Sequence, residues 1–386
     1  MAFHIAVITA TRAEYGLLKP LILALQKDDY FQCDVIATGT HLLEKYGHTI
    51  DYIREDGIPI AHEVAILHDG ESQEQVIANA LIEFSKVYQK ENYDAVVVLG
   101  DRYELYGICI PAMFRRIPII HLHGGEKTEG AMDEKIRHSI TKMSSIHFPS
   151  IEEYAKRIIQ MGENPKYVHA VGALGIDNIV HLPLLSKDEL SESLGVVLED
   201  KYALVTFHPV TMESVEDMKR QVCDVFDVLV ESGIQSIVTM PNSDVGGDDI
   251  LEIIKKYADS YPDRIKLFSS LGQVRYLSCM KYAEIVYGNS SSGILEAPSF
   301  RVPTIDIGDR QKGRVAADSV IHCKCDKESI KKALELAQSR DFRNKLANVM
   351  NPYGDGNTAT RIVDILKKTD WTDETIVKKE FYDLGR

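Results

Sequence analysis

Short runs of β-branched and aliphatic residues alternate with stretches of helical spacing along almost the whole chain. This alternation constrains the fold more than any other feature, because repeated strand–helix units call for a parallel sheet covered on both faces. In the first half, strands are expected at residues 3–9, 33–38, 95–99, 118–122 and 147–149. Helices are expected at 17–26, 42–55, 75–90, 106–114, 136–143 and 151–161, with a polar loop around 68–72. Residues 174–185, which contain Pro183, read as a connector. A second series follows, with strands at 202–207, 236–240, 265–268, 285–286 and 302–307 and helices at 215–232, 248–261 and 273–282. Further helical stretches lie at 294–300, 329–337, 342–348 and 359–368. The fold class is therefore α/β with two Rossmann-like domains, residues 1–175 and 186–350. Residues 351–386 contribute a helix that packs back on the first domain, and the polar end, 375–386, is expected to be loosely held. Two open sheets in tandem suit an interdomain cleft between their carboxyl edges.

The 386 residues are enough for two such cores, and a net charge of −14 argues against a general nucleic-acid binder. Any anion site must then be local. Six cysteines are scattered through apolar segments and read as reduced thiols. Cys323 and Cys325 form a C-x-C without a second pair at zinc spacing. No signal peptide is apparent and no apolar run reaches membrane-spanning length, so a cytoplasmic protein without a membrane partner is expected.

The unusual residues cluster where strands end. Between 285 and 314, two β-branched residues lead into Gly288-Asn289-Ser290-Ser291-Ser292-Gly293 and then a helix start carrying Glu296. Such a turn brings backbone N–H groups and serine hydroxyls to an anion at the positive end of a helix dipole. The next strand ends in Gly308-Asp309-Arg310-Gln311-Lys312-Gly313-Arg314, a basic loop bounded by glycines. The alternative is an ordinary capped turn beside a solvated loop.

After the first strand, Arg12 follows a small-residue turn and is placed to fork onto phosphate oxygens, or else to pair with Glu14. Asp101 and Arg102 follow the strand at 95–99. His121, His123 and Glu126 surround the pair Gly124-Gly125, with Asp133, Arg137 and His138 just beyond. Carboxylates beside histidines are what proton transfer at two positions needs, although caps and surface pairs use the same residues. His121 and His123 share one strand face, but without a carboxylate at ligand spacing no metal is expected. In the second half, His208 and Asn242 end adjacent strands, where they are placed to hydrogen-bond a phosphate or leaving group. No P-loop is present. Residues 354–359 fit G-x-G-x-x-A only loosely, with no strand before them.

Taken together, TATRAEYGLLKPL, TGTHLLEKYG, LGDRYE, IIHLHGGEKTEGAMDEKIRHSITKMS, FHPVT, MPNSD, GNSSSGILEAP and IDIGDRQKGR resemble the hydrolysing UDP-N-acetylglucosamine 2-epimerases of bacterial sialic-acid synthesis, in order and over nearly the whole chain. The resemblance implies a GT-B-like arrangement of the two domains with a UDP-sugar in the interdomain cleft. It implies elimination of UDP to a 2-acetamidoglucal and then hydration to N-acetylmannosamine, with no cofactor.

The same resemblance assigns Arg12, Arg102 and Arg310 to the diphosphate, with Ser290 and Ser291. It assigns Glu296 to the ribose diol, and His208 and Asn242 to the phosphate or sugar. Asp101, Glu126 and Asp133 become the acid–base carboxylates, assisted by His123 and His138. Other members carry a glutamate at the place of His123, so that role falls to His123 or Glu126 here. Relatives in legionaminic-acid synthesis act on UDP- or GDP-N,N'-diacetylbacillosamine, and a GT-B glycosyltransferase would use the same cleft. A homodimer or homotetramer is implied.

Overall fold

In strand β1 (Phe3–Thr9), Ile5 and Val7 enter one buried apolar layer while Ala6 and Ile8 enter another. A strand whose alternate side chains are all buried must be covered on both faces, the environment of a parallel sheet. The computed structural model describes residues 2–68, 70–127, 132–208, 215–240 and 247–385. The chain forms two compact units, one of Met1–Asn178 with Tyr353–Arg386 and one of Ile179–Pro352.

The first unit holds β1, β2 (Phe31–Thr38), β3 (Ile60–Val64), β4 (Ala95–Leu99), β5 (Ile119–Leu122) and β6 (Ile146–Phe148), ordered β3-β2-β1-β4-β5-β6. The second holds β7 (Tyr202–Thr206), β8 (Gln235–Thr239), β9 (Ile265–Phe268), β10 (Ile285–Gly288), β11 (Thr304–Ile307) and β12 (Val320–Cys323), ordered β12-β11-β10-β7-β8-β9. All pairings are parallel. Both sheets thus have the same doubly wound order. The order reverses between β1 and β4 in one and between β7 and β10 in the other, and ligands of such sheets bind beyond the strand ends at that point. Two Rossmann-like domains are therefore present.

Several expected elements differ. Residues 42–55 are not one helix but two 3₁₀ turns, Gly39–Leu42 and Glu44–Tyr46, and the helix Ile50–Glu55, because Gly47 takes a left-handed backbone. The edge strands β3 and β12 were not expected. Both are short, and β3 carries polar His62 on its inward-facing side while β12 exposes His322 beside buried Ile321, so neither shows a strong apolar run. The supposed connector contains the helix Leu174–His181, followed by Lys187–Leu194 with a Ser186 capping box.

The loose G-x-G-x-x-A stretch leads into the helix Thr358–Lys368. Its first N–H groups, those of Thr358 and Ala359, already donate to the buried Asp177 carboxylate at 2.9 and 2.7 Å. That cap leaves no room for a dinucleotide phosphate. Ile362, Val363 and Leu366 of this helix bury in the same layer as Leu18, Leu21 and Leu25 of the helix Arg12–Lys27.

Candidate functional site

In the second unit, the ends of β7 and β10 are stapled together. The His208 N–H donates to Asn289 Oδ1 at 2.7 Å and Asn289 Nδ2 returns a bond to the His208 carbonyl at 2.8 Å. Gly288 has φ 133°, and a Cβ there would collide with the Thr206 carbonyl, so the two strand ends approach this closely only with glycine. The loop after β11 joins them, since Arg310 Nη1 and Gln311 Nε2 donate to the Asn289 carbonyl at 3.1 and 2.9 Å.

A pocket of about 420 Å³ opens here, lined among others by His208, Ser290, Ser292, Tyr276, Gln273 and Glu296. Along its wall run linked hydroxyls: Ser290 to Ser292 (3.0 Å), Ser292 to Tyr276 (2.6 Å), Tyr276 to Thr206 (3.4 Å) and Thr206 to Thr239 (2.7 Å). Burial raises the Glu296 carboxyl to about 7 and pushes the Tyr276 phenol up.

The predicted helix behind the serine turn is only the single turn Ser292–Leu295, followed by the 3₁₀ turn Ala297–Phe300 with Pro298 inside it. One turn cannot sum a macrodipole, so the helix-dipole argument does not hold at this place. The helix Gly272–Tyr282 supplies that feature instead. Gly272 and Gln273 of its first turn line the pocket, and no side chain of its N-cap residue caps it. Ser290 lines the pocket, whereas Ser291 holds the N-cap position of the short turn without a side-chain cap bond. Arg310 is exposed beside the pocket's serine turn. Asn242 lies outside the described residues.

The first unit's reversal point is charged. The helix Arg12–Lys27 begins at Arg12, so Arg12 sits in a first helical turn, with its guanidinium 4.3 Å from the Tyr52 ring centroid. Glu14 does not pair with it. Its carboxylate turns inward to accept the Ala10 N–H at 2.6 Å, and burial raises it to about 8. Arg102 pairs with Glu104, which is 2% exposed, so the arginine expected on a diphosphate is already held by one carboxylate. Asp101 pairs with Arg137, whose other arm donates to the Glu126 carbonyl at 3.0 Å. Asp101 is thus an ion-paired carboxylate rather than a free base.

His123 and Glu126 come together, Nδ1 to Oε1 at 3.7 Å. His123 has φ 60° and therefore leaves the strand, which separates it from His121; the two do not share a face. His121 is fully buried and occupied by the Gly100 carbonyl (2.8 Å) and Thr141 (3.2 Å), so it is structural. Burial holds the imidazoles of both in the neutral range, and among the described residues the buried His123 Nε2 has no hydrogen-bond partner. Gly125 seats this loop on the helix Glu152–Gln160, where Arg157 donates to its carbonyl.

Asp133 is exposed in the first turn of the helix Met132–Met143. His138 stands 3.7 Å from Glu134 and faces a shallow groove with Ser139, Lys142 and Met161. No group of three or more metal-ligating side chains occurs among the described residues. Sequence reasoning passed over Tyr276, which falls in an expected helix, placed Ser292 in the serine turn without a role of its own, and gave Arg137 and Glu134 no role. The i, i+4 spacing of Glu134 and His138 was the available signal.

The second unit thus carries a polar, hydroxyl-lined pocket, and the first carries ion-paired carboxylates and a buried histidine at its strand ends. The sequence profile of UDP-N-acetylglucosamine 2-epimerase matches residues 23–367. The chain is 38% identical over 385 residues to polysialic acid biosynthesis protein P7 of Escherichia coli, covering 98% of this chain and 96% of that one. It is 37% identical over 386 residues to the GDP/UDP-N,N'-diacetylbacillosamine 2-epimerase (hydrolysing) of Campylobacter jejuni, covering 98% and 99%. The crystal structure of UDP-GlcNAc 2-epimerase from Neisseria meningitidis bound to UDP-GlcNAc superposes with a TM-score of 0.80 at 19% identity, over 95% of this chain and 100% of that one. The chain belongs to the UDP-N-acetylglucosamine 2-epimerase family and is an enzyme of that family.

Proposed function

We propose that this enzyme is a hydrolysing 2-epimerase that converts UDP-N-acetylglucosamine to UDP and N-acetylmannosamine for sialic acid synthesis. The observation that carries the reading is the division of labour between the sheet edges: a nearly neutral pocket of hydroxyls with one carboxylate in the second unit, and ion-paired carboxylates with neutral imidazoles in the first. Full-length similarity to protein P7 supports the sialic-acid context.

In this mechanism Ser290, Ser291, Arg310, Arg12 and Arg102 take the diphosphate, His208 and Asn242 stand beside it, and Glu296 accepts from the ribose diol. A base removes the proton at C2 as the bond from C1 to the diphosphate oxygen breaks. The electron pair forms the C1=C2 bond of a 2-acetamidoglucal and UDP leaves. Because C2–H is weakly acidic, stabilising the leaving diphosphate counts as much as the base. Water then adds, hydroxyl to C1 and a proton to C2 from the opposite face.

His123 is suited to be the base, since burial keeps it neutral and its Nε2 has no hydrogen-bond partner among the described residues, with Glu126 to receive the positive charge that develops. Asp101, Asp133 and His138 serve the return proton and the water.

A second reading, the same chemistry on UDP- or GDP-N,N'-diacetylbacillosamine, is supported by the similarity to the Campylobacter jejuni enzyme. Each nucleotide sugar, incubated alone with the protein in heavy water, decides between them by NMR. The expected result is free UDP and N-acetylmannosamine carrying deuterium at C2. A product still linked to UDP would make the enzyme non-hydrolysing, and turnover of diacetylbacillosamine alone would select the second reading. No turnover until an acceptor sugar is added would point to a glycosyltransferase.

A further inference from the structure

The chain's polar end was expected to be loosely held, yet it is built into the first unit. Asp373 accepts from Tyr167 and Lys166 at 2.7 and 2.6 Å. Further on, Lys379 Nζ donates to the carbonyls of Lys142 and Ser144 at 3.0 and 2.6 Å and pairs with Glu163 at 2.6 Å. These bonds use all three of its donors.

Glu163 is 2% exposed and also takes His147 of β6 at 3.0 Å and Lys142 at 2.5 Å. Burial alone would raise its carboxyl, but these partners outweigh burial and hold it down to about 2. The next residues close over the neighbouring turn. The Phe381 ring edge rests on Gly162, where any Cβ would strike it, Lys142 lies 5.3 Å from its centroid, and the Tyr382 N–H donates to the Gly162 carbonyl at 2.9 Å.

The two places gripped are the carboxyl ends of two helices. Lys142 and Ser144 end Met132–Met143, where a cation also satisfies the helix's free carbonyls. Gly162 follows Glu152–Gln160. These are the helices that hold the 123–126 loop: Arg137 of the first bonds Asp101 and the Glu126 carbonyl, and Arg157 of the second bonds the Gly125 carbonyl.

We infer that Lys379 and Phe381 are positioning residues for the acid–base loop: the C-terminal strap locks both supporting helices, and turnover requires it closed. Its catalytic consequence rests on the proposed reaction. The strap itself is read without substrate, from amide hydrogen exchange over residues 121–126.

Lys379→Ala and Phe381→Ala should each speed exchange in that loop severalfold. Each should also lower kcat about tenfold while leaving UDP affinity within twofold, and Lys379→Arg should restore most of the lost kcat. Phe381 is 67% exposed, so its variant tests the strap even if Lys379→Ala fails to fold. Unchanged loop exchange in the variants would overturn the inference, as would kcat within twofold of the unaltered protein or a parallel loss of UDP affinity. Failure of the unaltered protein to turn over any nucleotide sugar would defeat the proposed function instead, and loop exchange alone would then decide the strap.

Discussion

The two sheets share one topology and differ in what they place at the point where strand order reverses. In the first, the strand ends carry Glu14, Asp101, Arg102 and Glu104, closed into ion pairs and backbone bonds, with His123 beside them. In the second, the same positions carry His208, Asn289 and Ser290, joined by amide and hydroxyl bonds, with a single carboxylate nearby. Doubly wound order decides where a ligand can bind but says nothing of the chemistry done there. The contrast lies in the residues at the strand ends: ion-paired carboxylates and a histidine that can move protons in the first, and hydroxyl, amide and guanidinium donors that can hold an anion in the second.

The largest test of that contrast removes charge from the first edge. Asp101→Asn is expected to lower kcat at least about a hundredfold, the low end for a general acid or base. Its effect is compounded because the buried Arg137 loses its ion pair with Asp101. Asp133→Asn, which disturbs no ion pair, is expected to lose at least about a hundredfold as well. Both should bind UDP as the unaltered protein does, since neither substitution removes a group proposed to hold the diphosphate. Steady-state rates and calorimetric UDP titration read the two properties separately. A variant that lost UDP affinity together with rate would show that the edges do not divide the work.

A smaller effect is expected at the other edge. On the proposed role of Arg310, Arg310→Ala removes a charge-assisted phosphate contact and should weaken UDP binding by about 1.5 to 3 kcal/mol. The Asn289 carbonyl keeps the Gln311 bond, so the serine turn should hold its shape. UDP affinity equal to that of the unaltered protein, with unchanged turnover, would remove Arg310 from the site.

How far these edges were legible depended on whether chemistry was local in the chain. Strand, turn and helix follow one another, so Asp101, His123, Ser290 and Arg310 could all be placed at strand ends from periodicity and glycine positions. Their partners could not. Arg137 reaches Asp101 across 36 positions, and Asn289 reaches back 81 to His208; neither pairing leaves a trace in spacing. Tyr276 sits in a helix whose apolar spacing explains it without its hydroxyl. The tail misled for the opposite reason. Its polarity resembles that of a free end, but Lys379 spends its charge on two helix-end carbonyls and the buried Glu163. The weak edge strands β3 and β12 escaped notice because both are short and neither shows a strong apolar run.

The smallest effect distinguishes two raised carboxyls, one beside each set of strand ends. Glu14 reaches about 8 and Glu296 about 7, both through burial, yet Glu14 is closed onto the Ala10 N–H whereas Glu296 faces the pocket. For Glu14 the folded value lies above the ordinary carboxylate value of about 4.5. The native state therefore binds a proton that the unfolded chain has released, and the stabilisation is complete below about 4.5 and is lost as pH rises through about 8. Between pH 7 and 9 that loss amounts to roughly 1 kcal/mol. Chemical denaturation at the two pH values should show it in the unaltered protein and not in Glu14→Gln, whose neutral amide still accepts the Ala10 N–H. Carbon-13 titration of the two carboxyls sharpens the contrast further. UDP should leave the Glu14 midpoint in place and lower that of Glu296, because a ribose diol donates to the ionised form. A Glu14 midpoint that moved with UDP while that of Glu296 stayed would reverse the roles given to the two edges.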